Sequence, residues 1–204
     1  MITIIDYRTG NLGSIKNMLK KIGEPSIITA DPEEILKSSK IILPGVGAFD
    51  IGVKKLKDAG IWDVLIEKVN VQKVPILGIC LGAQLMTRGS EEGEVKGFGW
   101  VDADTVKFDL EKGSKLKVPS MGWNYVHLDR DSRLFEDMSA DPRFYFVHSY
   151  HFRFSDVAQV LTTSNFSYDF CSAFEKDNVI GVQFHPEKSH KFGMKLLKNF
   201  AINY

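Results

Sequence analysis

One of the two cysteines of this chain occupies a position where a thiol could act as a nucleophile. Cys80 lies in the stretch "PILGICLGAQLM" (75–86), where an apolar strand-like run meets a helix-like run. Gly78 and Gly82 flank it in the form of a strand-to-helix elbow, G-x-nucleophile-x-G. The glycines remove side chains that would clash in the turn, and a helix N-terminus favours the attacking thiolate. The motif predicts covalent catalysis by Cys80; the alternative is a buried structural cysteine.

A cysteine nucleophile needs a base, and the best candidate is His185 in "GVQFHPEKS". It ends an alternating strand that Pro186 prevents from continuing, and Glu187 could orient the imidazole and stabilise its charged form. His148 in "FVHSY" is the alternative base. The remaining histidines have no acidic neighbour at comparable spacing and are interpreted as surface or packing residues: His127, His151 and His190.

Acyl transfer also requires hydrogen-bond donors for an oxyanion. The segment "LPGVGAF" (43–49) places two glycines after a strand, so backbone N–H groups there can approach a ligand closely. Gly47 and Leu81, the residue after the nucleophile, are the candidate donors, with a simple tight turn as the alternative for the glycines. Cys171 lies among aromatic residues without an elbow, which predicts a buried thiol. No metal-spaced His/Cys set and no dinucleotide fingerprint occurs, so neither metal nor cofactor is expected.

Composition excludes several classes of partner. The 204 residues contain 26 basic and 26 acidic side chains, so nucleic acid and anionic membrane surfaces are not expected to bind. No apolar run approaches the roughly 20 residues that span a bilayer, and no signal peptide is expected. Two cysteines without regular spacing do not form a disulfide framework, which favours a reduced cytoplasmic setting.

The order of the elements predicts how these residues are positioned. Strand and helix patterns alternate over the first 90 residues, which predicts a central, mostly parallel sheet with helices on both faces. The second half is rich in strands and predicts antiparallel pairing, including a hairpin that turns near Asp177 and Asn178. A final helix is expected to be capped by Ser189. The whole chain, 1–204, is expected to be a single α/β domain.

Three of these motifs occur together in a characteristic order. "PGVGAF", "GICLGAQ" and, about a hundred residues after the cysteine, "FHPEKS" resemble the triad-type (class I) glutamine amidotransferases, over nearly the whole chain. The closest resemblance is to the branch that forms the glutaminase subunits of imidazole glycerol phosphate synthases. It is carried by "DYRTGNLGSI", "LPGVGAF", "GICLGAQLM", "PSMGWN", "FVHSY" and "GVQFHPEKS".

The resemblance implies a role for each matching residue. Cys80 would be the nucleophile, His185 the general base and acid, and Glu187 the residue that orients it. Gly47 and Leu81 would form the oxyanion site. Gln84, Ser149 and Tyr150 would hold the amino-acid part of L-glutamine. The surface that docks a synthase or cyclase subunit, as a heterodimer, would include Asn11, Met121, Trp123 and Lys188. Glutamine would be hydrolysed through a cysteinyl thioester, and ammonia would pass to that partner without reaching bulk water.

Two departures from the family pattern leave the acceptor open. Arg8 stands where the histidine-pathway branch usually has glycine, and Ser120 where it often has histidine. A paralogous branch that supplies ammonia to sugar-amidinating enzymes of surface polysaccharide biosynthesis is therefore the second hypothesis. Two other classes are also compatible with a cysteine elbow: a stand-alone cysteine hydrolase and a catalytically silent binding module. The late His-x-Glu motif favours the amidotransferase over both.

Overall fold

Twelve strands form one large mixed sheet and one two-stranded sheet in the computed structural model, which describes residues 1–204. The strands are β1 (Ile2–Ile5), β2 (Ser26–Thr29), β3 (Lys40–Gly45), β4 (Ile76–Cys80), β5 (Ala103–Lys107), β6 (Ser120–Tyr125), β7 (His127–Leu128), β8 (Arg143–His148), β9 (Tyr150–Phe154), β10 (Val160–Phe166), β11 (Tyr168–Lys176) and β12 (Val179–Val182). β6 and β8 form the smaller sheet, and the other ten strands form the larger one.

Six α-helices connect or cover these strands. They are α1 (Leu12–Lys21), α2 (Pro32–Leu36), α3 (Phe49–Asp58), α4 (Trp62–Ile66), α5 (Leu81–Gln84) and α6 (His190–Asn203). The side chain of Asp31 caps α2 by accepting a 3.0 Å hydrogen bond from the backbone N–H of Glu33, and Pro32 occupies the first helical position. The alternation of strands and helices predicted for the first 90 residues is confirmed.

The parallel half of the large sheet brings the ends of five strands to one edge. Its order is β2-β1-β3-β4-β12, and every neighbouring pair in this series is parallel. In the β3–β4 register Gly45 lies opposite Cys80, and in the β12–β4 register Val182 lies opposite Ile79. Ligand sites of open α/β sheets form at the carboxyl ends of such strands, which is where β3, β4 and β12 deliver the predicted motifs.

Helices cover both faces of this sheet, as expected. Alternate residues of β1 face opposite sides, with Ile4 in one apolar core and Ile5 in the other. α1 and α6 pack on the first side, while α3 and α4 pack on the second. Burial on both sides explains why these strands are continuous apolar runs rather than alternating ones.

The strand-rich half is antiparallel, and two details differ from the sequence-based expectation. The hairpin forms as predicted, with Lys176 paired to Val179 around a two-residue turn. The apolar run over 143–154, however, is broken at Ser149 into β8 and β9, which belong to different sheets. Ser189 precedes α6 but does not cap it, because its hydroxyl donates to the carbonyl oxygen of His185 and accepts from the N–H of Tyr145.

Candidate active site

Cys80 lies on a strained turn between β4 and α5. Its backbone has φ 52° and ψ −112°, a region that residues with side chains rarely adopt and that costs about 1–3 kcal/mol. A β-carbon on Gly78 would lie 2.6 Å from the Cα atom of Ala83, and one on Gly82 would collide with the carbonyl oxygen of Leu43. Both flanking glycines are therefore required by the close packing of the turn.

The helix behind Cys80 is shorter than the sequence suggests. α5 ends at Gln84, after four residues. The macrodipole expected from a longer helix is therefore reduced to the partial charges of one turn. Other groups around the sulfur must supply most of the stabilisation that a thiolate needs.

His185 and Glu187 form a buried, hydrogen-bonded pair next to the elbow. Nδ1 of His185 lies 2.8 Å from Oε1 of Glu187, and the two residues are 1% and 9% exposed. The backbone N–H of His185 donates to the carbonyl oxygen of Tyr145 at 2.9 Å, which fixes the backbone that carries the imidazole side chain. Nε2 of His185 is buried and has no hydrogen-bond partner in the resting protein. It is therefore the nitrogen available to the sulfur or to a substrate.

Burial and neighbouring charges compete to set the protonation of this pair. Burial lowers the pKa of His185, but the neighbouring Cys80 sulfur and the hydrogen bond and charge of Glu187 outweigh burial and raise it to about 10. Burial raises the pKa of Glu187, whereas the hydrogen bond and charge of His185 and the hydrogen bond from Asn11 hold it below its usual range. The site thus favours an imidazolium on His185 beside a carboxylate on Glu187 at neutral pH.

His148, the alternative base, lies in a different electrostatic environment. It is buried, and Nδ1 donates to the carbonyl oxygen of Tyr150 at 2.7 Å, which leaves Nε2 without a partner. No carboxylate contacts the ring. Burial, with smaller contributions from the charges of His151 and His185, lowers the pKa of His148 to about 3. A histidine that stays neutral and lacks an acidic partner is the weaker candidate for the general base.

The buried neutral His148 predicts a loss of stability in acid. Its folded-state pKa lies below the unfolded value near 6.5, so its contribution is complete above that value and is lost as the pH falls toward about 3. Between pH 7 and pH 5 we expect wild type to lose about 2 kcal/mol more unfolding free energy than His148→Gln. Urea unfolding at both pH values tests this. His127→Gln, at an exposed position, is the control and should behave like wild type; equal losses in wild type and His148→Gln would contradict the prediction.

A cavity of about 380 Å³ opens in front of the sulfur. Cys80 lines it together with every residue predicted for the oxyanion and the substrate, namely Gly47, Leu81, Gln84, Ser149 and Tyr150. Gly47 has φ +111°, a left-handed conformation suited to glycine, and its N–H makes no hydrogen bond within the protein. The break between β8 and β9 is what turns residues 149 and 150 toward this cavity. The cavity is thus formed by the end of β4, the loop that contains Gly47, the turn of α5 and the break at Ser149. It is large enough for an amino acid.

The structure adds two residues to the site that sequence reasoning missed. Glu92 lines the cavity, and its carboxylate accepts a hydrogen bond from the N–H of Phe49 at 2.9 Å. Glu92 lies in the stretch "SEEGE" (90–94), outside every motif identified in the sequence, so the sequence carried no signal for it. Gln183 donates from Nε2 to the sulfur of Cys80 at 3.6 Å. Its place inside the "GVQFHPEKS" motif, two residues before His185, was the available signal.

The residues predicted to dock a partner lie on a surface that reaches the buried pair. Met121 and Trp123 are 65% and 45% exposed on β6. Trp123 packs edge-on to Tyr145, whose ring also lies 5.5 Å from Nζ of Lys188. Asn11 is half-buried, and its side-chain amide donates to Oε1 of Glu187 at 3.0 Å. One edge of this surface therefore contacts the candidate triad directly.

The fold presents neither a metal-binding cluster nor a membrane-spanning element. No group of three or more His, Cys, Asp or Glu side chains has an arrangement that could hold a metal ion. No helix has the length and apolar character needed to cross a membrane.

Comparison with known proteins gives full-length matches. The family model "Glutamine amidotransferase class-I" matches residues 3–204. "Imidazole glycerol phosphate synthase subunit HisH 2" of Methanococcus maripaludis is 55% identical over 200 residues, which is 98% of each chain. A Pseudomonas aeruginosa protein with the same name is 46% identical over 201 residues, again 98% of each chain.

Solved structures match at the level of the fold. A glutamine amidotransferase from Thermotoga maritima has a TM-score of 0.65 at 20% identity, with 97% of this chain and 80% of that chain covered. Another solved glutamine amidotransferase has a TM-score of 0.71 at 18% identity, with 97% of this chain and 100% of that chain covered. At these identities the likeness concerns the architecture alone, and it agrees with the single α/β domain described above.

Proposed function

This chain belongs to the class I glutamine amidotransferases, and on that premise we propose that it is the glutaminase subunit of an imidazole glycerol phosphate synthase in histidine biosynthesis. The observation that carries the proposal is the buried His185–Glu187 pair beside Cys80, at the end of a cavity of amino-acid size. Relatives named as that subunit match over 98% of both chains, which supports the same activity here.

The first half of the reaction forms a thioester. The Cys80 thiolate attacks the side-chain carboxamide carbon of L-glutamine, and the carbonyl oxygen becomes an oxyanion. The backbone N–H groups of Gly47 and Leu81 are the proposed donors to that oxyanion. Imidazolium His185 gives its Nε2 proton to the amide nitrogen, the C–N bond breaks, and ammonia leaves. The products of this half are a glutamyl thioester on Cys80, neutral His185 and one molecule of ammonia.

The second half restores the enzyme. Neutral His185 accepts a proton from water as the water oxygen attacks the thioester carbon. The C–S bond then breaks, glutamate leaves, and Cys80 returns to a thiolate beside the imidazolium. One water is consumed for each glutamine, and the proton of the new γ-carboxyl group is released to solvent. Glutamine and water therefore give glutamate, ammonia and one proton, so atoms and charge balance over the cycle. Glu187 keeps its negative charge throughout and holds the ring in the tautomer that exposes Nε2.

The cavity supplies recognition for the amino-acid part of the substrate. Gln84, Ser149 and Tyr150 line it with polar side-chain and backbone groups that can bind the α-carboxylate. Glu92 adds a negative charge on the same lining, which complements an α-ammonium group. Together they favour a free amino acid over a peptide-bound glutamine, which favours a glutaminase over a peptidase.

A synthase partner is the proposed recipient of the ammonia. The exposed apolar side chains of Met121, Trp123 and Tyr125 follow one another on β6 at two-residue spacing, so they share one face of that strand. Aromatic and methionine side chains are enriched at protein interfaces. Asn11 joins this region to Glu187, so docking of a cyclase subunit can affect the triad without a long relay.

The oxyanion loop is built to change between two states. The hydroxyl of Thr9 accepts from the N–H of Val46 at 3.1 Å and donates to its carbonyl oxygen. The carbonyl of Val46 and the N–H of Gly47 belong to the same peptide group. A flip of that peptide toward the substrate would break the bond with Thr9, so the resting state opposes the flip. Partner and acceptor binding would supply the compensating free energy.

We therefore expect the isolated chain to be a poor glutaminase. Adding the cyclase subunit of a histidine-pathway synthase, with its acceptor substrate, should raise glutamate release by about 10²–10³-fold, the effect of gaining one oxyanion donor. Steady-state glutamate production is measured for the chain alone, with the cyclase, and with cyclase plus acceptor. Equal rates in all three mixtures would eliminate the gating while leaving the triad chemistry in place.

A matched pair of variants tests the docking surface in the same assay. Trp123→Ala should weaken activation by the cyclase. Leu128→Ala removes an apolar side chain that is also 45% exposed, on the other sheet, and should not. If Trp123→Ala is activated as fully as wild type, the surface has been placed wrongly.

A sugar-amidinating synthetase is the second candidate acceptor of the ammonia, because two residues depart from the pattern of the histidine-pathway branch. Arg8 has φ 63°, the left-handed region that favours glycine, so this chain keeps an arginine where the backbone does not suit it. Ser120 is buried and lies opposite His148 in the β6–β8 register. Activation only by a sugar-amidinating synthetase, and not by the cyclase, would reassign the acceptor to that branch.

The proposed chemistry suits the reducing conditions of the cytoplasm. Cys80 and Cys171 are both free thiols. A nucleophilic thiolate is protected from oxidation where glutathione and thioredoxin keep cysteines reduced. We therefore place the protein in the cytoplasm as part of the proposal.

A further inference from the structure

Gln183 directly follows β12 and is completely buried. Its backbone N–H donates to the carbonyl oxygen of Ser172 at 2.9 Å, which extends the antiparallel pairing of β12 with β11. On the other side β12 runs parallel to β4, with Val182 opposite Ile79. One further step in this register places Gln183 beside Cys80. The position of the glutamine relative to the sulfur is therefore fixed by the sheet rather than by a loop.

The orientation of the Gln183 amide is set by its hydrogen-bond partners. Gln84 donates from Nε2 to the carbonyl oxygen of Tyr150 at 3.3 Å and to Oε1 of Gln183 at 3.1 Å. Because Oε1 accepts from Gln84, the amide nitrogen must point the other way, where it donates to the sulfur of Cys80 at 3.6 Å. The opposite assignment would set the NH₂ group of Gln183 against that of Gln84.

The side chain of Gln183 bonds to residues of the candidate active site and does not act as apolar packing in the core. Both its side-chain hydrogen-bond partners, Gln84 and Cys80, line the cavity. Burying a primary amide is unfavourable unless its groups are bonded, and a leucine or methionine would fill the same space without that cost. Hydrogen bonds to an ionised acceptor are roughly twice as strong as neutral ones. The amide therefore gains most when Cys80 is a thiolate.

We propose that Gln183 is a catalytic residue that donates a hydrogen bond to the Cys80 sulfur, stabilising the thiolate and holding it in position for attack. The inference rests on the proposed function in one respect, since the thiolate is taken to be the nucleophile for glutamine. Gln84 acts through Gln183 as a positioning residue for the sulfur, in addition to its place in the substrate cavity. His185 and Gln183 are then both neighbours of the sulfur, and α5 contributes only one turn.

The test uses alkylation of Cys80, which requires neither glutamine nor a partner. In a Cys171→Ala background, iodoacetamide can modify only one cysteine of this chain. Rates are measured from pH 5 to pH 10 for the parent, Gln183→Met and Gln183→Glu. Gln183→Met keeps the approximate volume but removes the donor, and Gln183→Glu keeps the shape while presenting oxygen in place of nitrogen. Gln159→Met, at a half-buried glutamine whose side chain accepts from the N–H of Asp102, is the matched control.

Loss of the donor should slow alkylation about tenfold at pH 7, the effect of one charge-assisted hydrogen bond on the thiolate population. The difference should vanish at high pH, where the thiol is ionised in every variant, so the whole profile moves to higher pH. Gln183→Glu should move it further, and Gln159→Met should not move it. A purely structural role predicts either no change or equal slowing at every pH, and either result would overturn the proposal.

Spectroscopy of the unsubstituted protein covers the case in which these variants fail to fold. The Gln183 side-chain amide signals in a ¹⁵N–¹H spectrum should shift in step with ionisation of Cys80 and should lose that response after alkylation. Amide signals that change neither with ionisation of Cys80 nor with its alkylation would contradict the proposal. If the pH profiles shift as expected but the assembled protein with cyclase and acceptor does not hydrolyse glutamine, then the role of Gln183 stands and the proposed function fails.

Discussion

Replacing Cys80 with alanine is expected to abolish glutamine hydrolysis by the complex with its synthase partner. The covalent step depends on the sulfur of Cys80, the only thiol that lines the cavity, so the loss should exceed about 10⁴-fold. Cys80→Ser should fail similarly, because a hydroxyl is not ionised by the same surroundings. Glutamate release is the measurement, and urea unfolding establishes that each variant is folded. Alanine and serine carry a Cβ atom, as cysteine does, so neither relieves the strained backbone at position 80. The free energy of unfolding should therefore change little.

Cys171→Ala is the control for this experiment. Cys171 is buried, its thiol donates to the carbonyl oxygen of Ala173, and burial raises its pKa well above the ordinary value. Such a thiol is unreactive at neutral pH. Activity should therefore stay near that of wild type. Substantial hydrolysis by a clean Cys80→Ala preparation would exclude the thioester mechanism.

Removal of His185 has the second largest expected effect. His185→Ala deletes the proton carrier and should lower the turnover rate by about 10²–10⁴-fold. Glu187→Gln should cost less, about 10–100-fold, the free energy of one hydrogen bond to a charged group. Glu187 also helps to raise the pKa of His185, so in Glu187→Gln the alkaline limb of the pH–rate profile should begin at a lower pH.

The double variant separates a triad from two independent residues. If His185 and Glu187 act as a unit, His185→Ala with Glu187→Gln should be no worse than His185→Ala alone. Glu175→Gln is the control, because Glu175 accepts hydrogen bonds from Ser132 and Tyr204 and contacts neither the triad nor the cavity. A harmless Glu187→Gln would remove Glu187 from the mechanism, and additive losses would argue against a concerted triad.

Some features of the site were predictable because they depend on short stretches of chain. The elbow at Cys80 follows from glycines whose missing side chains prevent collisions with residues a few positions away or on the next strand. The cap at Asp31 and the turn after Lys176 follow from local backbone chemistry in the same way. The alternation of apolar runs with amphipathic stretches similarly indicated a parallel sheet covered on both faces.

Other features depend on contacts between distant parts of the chain. Ser189 has the residue type of a helix cap, yet its hydroxyl accepts from the N–H of Tyr145, which β8 brings beside it from 44 residues away, and donates to the nearby carbonyl oxygen of His185. The sequence likewise favoured His185 as the base but left His148 as the alternative. Only burial of His148 away from any carboxylate, and the 2.8 Å contact of His185 with Glu187, distinguish them.

The sequence by itself determined the class of fold, and it marked the candidate nucleophile and the motif favoured to supply its base, since sterics and periodicity over a few residues encode them. The tertiary structure alone decided what surrounds the sulfur. β12 is inserted beside β4 about a hundred residues later in the chain, and its register puts Gln183 next to Cys80. No local pattern encodes that register, because it results from burying both faces of the sheet at once, and so the sulfur's hydrogen-bond donor became visible only in the folded protein.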